Sequence, residues 1–269
     1  MKKAIEDQIK TMDTLVDSGR IKKKDSEKTK VTENVFDEAT LKALYTLSNK
    51  GIIEALGGSI STGKEANVFL ADGREDSLAV KIYRINSSTF NSMEDYILGD
   101  PRFRDIRHTK KEIVFAWTKK EYRNLLRAHE VGIKVPKPVL TERNILVMEF
   151  AGKDEKPYPL LKDVQLEEAT AKKVYDILRD YIKRLYMDAE LIHADLSEYN
   201  VLIETEEMEP ILIDMGQSVT PEHPKADQFL RRDIQNIVRY FKKYGIKSDE
   251  NEFYTFVTKD KKEHNHDSH

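Results

Sequence analysis

The sequence predicts an α/β chain of the α+β kind, with strands gathered in its first half, helices dominating its second, and one β-hairpin among the later helices. Three observations carry this. Apolar runs of strand length, rich in β-branched residues, fall at Ser59–Leu70, Leu78–Tyr83 and Ile145–Phe150. Helical spacing of apolar residues marks 34–48, 112–130, 166–190 and 229–244. Between the last two helices lies Leu191–Gln217, where Val201–Ile203 and Ile211–Ile213 read as paired strands around an acidic turn, Glu204–Pro210, that Pro210 closes.

Composition bounds the answer. A chain of 269 residues can bury a sizeable core in one or two domains. With 35% charged and 39% apolar residues, a soluble and heavily solvated protein is expected. The net charge of −3 gives no global field for nucleic acid or membrane. Without cysteine there are no disulfides and no thiolate metal sites, which fits an intracellular protein. No apolar run approaches the ~18 residues of a membrane span, and no signal-peptide core opens the chain. The expectation is a cytoplasmic protein with no membrane partner.

In order along the chain, residues 1–33 are polar and lysine-rich, with Ile5, Ile9, Met12, Leu15 and Val16 at helical spacing before Lys22, Lys23 and Lys24 break the pattern. A short helix and a basic link is the plain reading, an RNA-contacting arm the sharper one. From Asn34 to Ser48 a clearer helix has Asn34 or Asp37 as its cap and Leu41, Leu44, Tyr45 and Leu47 as its apolar side. Gly51, free to take a left-handed conformation, is its stop. Ile52–Leu56 resumes an apolar run before Gly57 and Gly58, and the period then turns strand-like.

Two phosphate-loop readings compete at the first strands. Gly58–Lys64 fits the spacing G-x-x-x-x-G-K, but Glu65 stands where Ser or Thr is needed and a strand follows where a helix is needed, so that loop is rejected. The other reading is a hairpin laid over phosphates. Ser61, Gly63 and Ala66 fall on the three glycine positions of the kinase pattern G-x-G-x-x-G-x-V, with Val68 at its valine. Small residues there let the backbone approach phosphate closely. After a turn at Asp72-Gly73, Ala79-Val80-Lys81 matches the kinase V-A-I-K strand, although an ordinary sheet lysine would read the same.

Residues 84–112 read as a long, partly mobile connection. In the helix that follows, Ile113, Val114, Trp117, Leu125 and Leu126 share a face, and Glu121 lies within it. A carboxylate buried there needs a cation. Lys81 is the expected partner; the plainer alternative is a stripe-edge glutamate reaching water. Val135–Pro138 reads as a turn or extended link, and Ala151-Gly152 follows the strand at Ile145–Phe150. The helix at 166–190 should turn Ala169, Val174, Ile177, Leu178, Tyr181, Ile182 and Leu185 inward. The helix Phe229–Tyr244 should bury Ile234, Ile237, Val238 and Phe241, leaving Arg231, Arg232, Arg239, Lys242 and Lys243 as a basic outer side. That side is either simply solvated or faces RNA. Lys259–His269 reads as a disordered polar tail.

Chemistry concentrates at the hairpin. His193-Ala194-Asp195 precedes its first strand, Asn200 comes five residues after Asp195, and Asp214-Met215-Gly216 follows the second strand. The hairpin would hold Asp195, Asn200 and Asp214 around one small volume. Two carboxylates and an amide oxygen suit a hard cation such as Mg²⁺ and one proton acceptor. That is phosphoryl-transfer chemistry in outline.

Together these segments resemble the RIO family of atypical serine kinases, and within it the type 1 branch, over about residues 34–257. The motifs are STGKEANVF at 61–69, AVKIYR at 79–84, KEYRNL at 120–125, MEF at 148–150, IHADLSEYN at 192–200 and LIDMGQSV at 212–219. HxD with Asn and Asp alone would also match small-molecule kinases of the aminoglycoside and choline type, but the STGKEANV loop argues against them.

The resemblance implies a two-lobed, truncated protein-kinase-like fold: a helical extension at 1–56, a small lobe at 57–150, a large lobe at 151–257 and a disordered tail at 258–269. It implies an ATP- and Mg²⁺-dependent serine/threonine kinase or ATPase, with Mn²⁺ as an alternative metal. Asp195 is then the base that accepts the substrate hydroxyl proton. Asn200 and Asp214 hold the metal, and Asp214 is also a candidate for a 4-aspartylphosphate intermediate. Lys81, paired with Glu121, holds the nucleotide phosphates, with Ser61, Thr62, Gly63, Lys64 and Glu65 closing over them. The backbone of Glu149 and Ala151 reads adenine, with Met148 as gatekeeper.

Two departures from ordinary protein kinases stand out. Ala194 replaces the arginine of H-R-D, and about 55 residues follow Asp214 without an A-P-E segment. An activation loop and peptide-docking helices are therefore not expected. This fits the family's association with maturation of the small ribosomal subunit, the partner being a pre-40S or 30S particle met through rRNA or ribosomal proteins. Two alternatives stay open: a nucleotide-gated assembly factor whose main work is binding such a particle, and a small-molecule kinase.

Overall fold

A computed structural model describes residues 36–85, 93, 96, 97 and 109–264, with side chains to 259. The basic N-terminal stretch, most of the connection at 84–112 and the last histidines lie outside the described residues. The first helix, α1 (Glu38–Asn49), starts at Asp37, whose carboxylate accepts the Thr40 N–H at 2.8 Å. It ends as expected at Gly51, φ 65°. Gly51 N–H reaches Ser48 O at 2.8 Å and Ile52 N–H reaches Leu47 O at 3.0 Å, the paired bonds of a Schellman stop.

The strands β1 (Ala55–Thr62), β2 (Ala66–Asp72), β3 (Ser77–Tyr83), β4 (Pro138–Glu142) and β5 (Ile145–Glu149) form one antiparallel sheet in the order β1-β2-β3-β5-β4. Two findings differ from the sequence reading. β1 begins before the glycine pair, and its register shifts on both sides of Ser59, so Gly57 and Gly58 mark bulges rather than a boundary. β4 begins at Pro138, inside the expected link; on an edge strand proline lacks no ladder bond that the sheet needs.

Ala43, Leu44 and Leu47 of α1 pack with Phe69, Ala71, Leu78, Val80, Ile82, Ile145 and Val147 in one buried cluster. Because side chains alternate along a strand, that packing turns Lys81 and Tyr83 to the opposite face. Helix α2 (Lys110–Glu130) meets them there through Glu121. A small hairpin that the sequence reading missed, β6 (Gly152–Lys153) and β7 (Lys156–Pro157), follows β5. A Cβ on Gly152 would run into the Lys156 carbonyl oxygen and the Phe150 ring.

The chain divides into two compact units: α1, the sheet, the small hairpin and α2 as far as Tyr122 in one, and Arg123–Lys137 with everything from Tyr158 in the other. In the second unit lie α3 (Glu168–Met187), the hairpin β8 (Val201–Glu204) and β9 (Glu209–Leu212), α4 (Ala226–Phe241) and α5 (Glu250–His264). Ala169 is exposed and Ala171 is buried instead, while Ile177 is half-buried, because the inward stripe runs Ala171, Val174, Leu178, Tyr181, Ile182, Leu185. Pro210 does not close the hairpin turn but pairs with Ile203 inside β9. The turn is made upstream, where the Glu204 carboxylate accepts the Glu206 and Glu207 N–H groups at 2.7 and 2.6 Å and Met208 takes φ 54°.

Helix α5 was not expected, and the polar stretch from Lys259 continues it to His264. Phe253 and Val257 bury its apolar side, with Phe253 edge-on to Tyr175 at 6.0 Å between ring centres. The basic side of α4 is also largely engaged within the chain. Arg231 bonds Asp227 at 3.0 Å and lies 3.9 Å from the Tyr254 ring, and Lys243, in the 3₁₀ turn that follows α4, lies 3.9 Å from the Tyr240 ring.

Candidate functional site

In the first unit the expected ion pair is formed. Lys81 stands on the central strand β3, opposite Val68 and Leu146, and its Nζ donates to Glu121 Oε1 at 2.8 Å. Glu121 is 1% exposed, so its charge is compensated by this lysine and not by water. Tyr83, two residues along the same face, donates its hydroxyl to Glu121 Oε2.

The other sequence-predicted residues of this unit are placed as follows. Ser61 and Thr62 end β1, opposite Val68 and Asn67, and Gly63, Lys64 and Glu65 form the turn into β2. Gly63 N–H bonds Ala66 O at 2.9 Å, which closes a tight hairpin with Ser61–Lys64 exposed. A strand follows this turn, so the rejected helix-bearing phosphate loop is absent here. Met148 is buried opposite Ala79, Glu149 ends β5 exposed, and Ala151 is half-buried in the coil beyond.

In the second unit the segment from Ile192 to Leu196 and the hairpin bring Asp195 and Asn200 together. Asn200 Nδ2 donates to Asp195 O at 2.8 Å and to Asp195 Oδ2 at 3.1 Å. This orientation turns the amide oxygen Oδ1 away from Asp195. Burial raises the pKa of the Asp195 carboxyl; His193 and the Asn200 amide lower it, while the charge of Asp214 raises it further. Asp214 has φ 62° and Ala194 φ 66°, both left-handed and costly for residues with a Cβ.

Helix α4 holds the loop that carries Asp195. Its buried Asp233 accepts Ala194 N–H at 2.8 Å and Leu196 N–H at 2.9 Å, one on each carboxylate oxygen. Asn236 donates to Leu196 O at 3.0 Å, and Arg232 donates to Ala194 O. Burial pushes the Asp233 carboxyl up to about 7 against the pull of the two N–H donors. His193 is buried and donates from Nε2 to Ile213 O at 3.0 Å, and burial lowers its pKa.

Among the described residues no three His, Asp or Glu side chains cluster as a metal cage of their own. Carboxylate and amide oxygens such as those of Asp214 and Asn200 are hard donors, of the kind that Mg²⁺ takes together with the phosphate oxygens of a nucleotide.

Comparison with known proteins decides the family. Residues 67–253 match the family model for the RIO domain. The chain belongs to the RIO family. It is 47% identical to the RIO-type serine/threonine-protein kinase Rio1 of Haloferax volcanii, over 92% of this chain and 84% of that one. It is 40% identical to the Rio1 of Methanocaldococcus jannaschii, over 85% and 77%. The human serine/threonine-protein kinase RIO1 is 40% identical over 86% of this chain, which spans only 40% of that relative's length. Among solved structures, the Rio2 kinase–ADP/Mg²⁺–phosphoaspartate complex of Chaetomium thermophilum matches with a TM-score of 0.60 and 25% identity, covering 77% of this chain and 61% of that one. This RIO chain is thus a serine/threonine kinase by kind, with a kinase-like α/β fold. No described helix is long and apolar enough to cross a membrane.

Sequence reasoning missed Tyr83, Asn124, Asp233 and Asn236. A signal for Asp233 was present: it falls in the apolar stripe of α4 between Leu230 and Ile237, as Glu121 falls in the stripe of α2. A carboxylate buried in a stripe needs donors, and here they are backbone N–H groups, which leave no mark in the sequence.

Proposed function

We propose that this RIO chain is an ATP- and Mg²⁺-dependent kinase in which Asp195 is the base and Asp214 serves both as metal ligand and as phosphoryl acceptor. The observation that supports it best is the Asp195–Asn200–Asp214 constellation. A carboxylate whose pKa is raised by burial is held by the Asn200 amide, and the second carboxylate, Asp214, directly follows Ile213, whose N–H bonds Asn200 O at 3.0 Å. A carboxylate that burial makes more basic than in water suits proton abstraction from a serine hydroxyl.

Asp195 takes the hydroxyl proton as the serine oxygen attacks the γ-phosphorus of ATP; the bond to the β–γ bridging oxygen breaks and ADP leaves. Lys81, oriented by Glu121, offers its ammonium to the phosphates. Asn200 Oδ1 and the Asp214 carboxylate would hold Mg²⁺, which when bound offsets the negative charge of the phosphate oxygens. In the second branch an Asp214 oxygen attacks the γ-phosphorus, ADP leaves, and water later returns inorganic phosphate and the free carboxylate. The phosphoaspartate in the related Rio2 complex supports that branch. Ser61–Glu65 would close over the phosphates, Glu149 and Ala151 would bind adenine through their backbones, and Met148 would flank it.

The physiological setting we infer is a maturing small ribosomal subunit, with ATP turnover timing release. The test joins the two halves. The wild type is expected to form a hydroxylamine-sensitive phosphoprotein in [γ-³²P]ATP that vanishes in Asp214→Ala. Asp195→Asn should abolish transfer to serine. Wild-type rates in Asp195→Asn, or only alkali-stable phosphoserine in the wild type, would overturn the corresponding branch. Binding to pre-ribosomal particles that does not change with ATP would remove the timing role.

A further inference from the structure

We infer that Asn124 is a positioning residue for Asp214, holding the backbone turn that presents this carboxylate; the inference rests on the reading of Asp214 as a metal ligand. Asp214 needs support because its backbone, φ 62° and ψ 54°, lies in the left-handed region, which a residue with a Cβ enters at a cost. Such a conformation persists only where the surroundings fix it from both sides.

Upstream the fixing is visible in the hairpin itself. Ile213 N–H donates to Asn200 O at 3.0 Å, and His193 Nε2 bonds Ile213 O at 3.0 Å. Downstream lies a single 3₁₀ turn, Met215–Gln217, closed by a long Ser218 N–H to Met215 O bond of 3.3 Å. That turn is weak by its own bonds, since 3₁₀ hydrogen-bond geometry is poor.

The Ser218 hydroxyl donates to His193 O at 3.2 Å and Val219 pairs with Ile192 just beyond the turn, and Asn124 adds bonds to the turn itself. Asn124 is fully buried, and its Nδ2 donates to Met215 O at 2.8 Å and to Ser218 O at 3.3 Å, so one amide spans both ends of the turn. The chemistry selects asparagine. An NH₂ group has two hydrogens for two carbonyls, a serine hydroxyl has one, and an aspartate would set its oxygens against carbonyl oxygens. The donor comes from α2, remote in sequence from the hairpin, so the orientation of Asp214 depends on a contact made over 91 residues of chain. The bonds that Asn124 makes to the turn go to backbone carbonyls, and through that backbone it acts on Asp214.

The test is a Mn²⁺ titration of the ADP-saturated full chain, read by the EPR signal of free Mn²⁺, beside ADP binding in EDTA. Supporting groups around a metal ligand change metal affinity by about 10–100-fold. Asn124→Ala is expected to weaken Mn²⁺ within that range and to leave metal-free ADP affinity within about two-fold, because the adenine and Lys81 contacts lie elsewhere. Asn124→Ser, keeping one donor, should fall between, and it carries the test if Asn124→Ala does not fold. Unchanged Mn²⁺ affinity in Asn124→Ser and Asn124→Ala, with affinity lost in Asp214→Ala, overturns this inference and leaves the proposed function standing. Wild-type Mn²⁺ affinity in Asp214→Ala overturns the metal role itself. A parallel loss of metal-free ADP binding in the Asn124 variants would mean a general structural role and also overturn the inference.

Discussion

Replacing Asp233 by asparagine should change the pH dependence of folding stability in one defined window. The Asp233 carboxyl is buried and pushed up to about 7 from an ordinary value of 3.8. Its folded pKa is therefore above its unfolded one. The stabilising contribution is complete below the unfolded pKa, where both states hold the proton. It is lost as pH rises, because between about 4 and about 7 the unfolded chain has released a proton that the native state still keeps. The loss is about 1.4 kcal/mol per pH unit in that window and about 4 kcal/mol in all. Between about pH 5.5 and about pH 8 it amounts to about 2 kcal/mol.

His193 works in the other direction. Burial lowers its pKa, so its contribution is present above the ordinary histidine range and is lost as pH falls through it. A raw stability curve mixes the two. The clean quantity is the difference between wild type and Asp233→Asn, in which His193 and the surface carboxylates cancel. Urea unfolding at several pH values should show the wild type losing about 2 kcal/mol relative to Asp233→Asn from about pH 5.5 to about pH 8. Parallel curves for the two proteins would refute the argument and mean that the Ala194 and Leu196 N–H groups hold Asp233 ionised throughout.

Other predictions follow from single contacts. Lys81→Met removes the cation that the buried Glu121 carboxylate bonds at 2.8 Å and should destabilise by about 3 kcal/mol; Lys81→Met combined with Glu121→Leu should recover most of that in urea unfolding. Activity should fall on an acid limb that lies above the ordinary carboxylate pKa of about 4, because burial raises Asp195; a pH–rate profile for kcat/KM with a limb at or below that value would count against Asp195 as base. Asn144 donates to Thr40 Oγ1 and to Tyr83 O, both at 2.8 Å and fully buried, tying α1 to the end of β3. Asn144→Ala should therefore cost about 2 kcal/mol, measured by the shift in urea midpoint.

Much of this protein was legible in the sequence because local pattern and chemistry coincide there. Alternation along Leu78–Tyr83 sets Lys81 on one face, and helical spacing in α2 sets Glu121 in an apolar stripe. Those two patterns predict a pair that the fold forms at 2.8 Å. The apolar runs Val201–Ile203 and Ile211–Ile213 likewise announced the hairpin. Gly51 announced the end of α1, since a left-handed stop favours glycine.

What the sequence could not announce was decided by contacts between distant segments. Pro210 reads as a turn residue, yet it lies in β9 because the Glu204 carboxylate caps the turn earlier. α5 carries too few apolar residues to declare itself and is held by Phe253 and Val257 against the rest of the second unit. Asp233, Asn236 and Asn124 act on backbone N–H and C=O groups, which every residue possesses, so no spacing in the sequence marks their targets. The sequence by itself determined the chemical groups and the elements that carry them. Only the tertiary structure decided how rigidly Asp195 and Asp214 are held, because that depends on buried donors and acceptors supplied from α2 and α4 and satisfied only once the chain is folded.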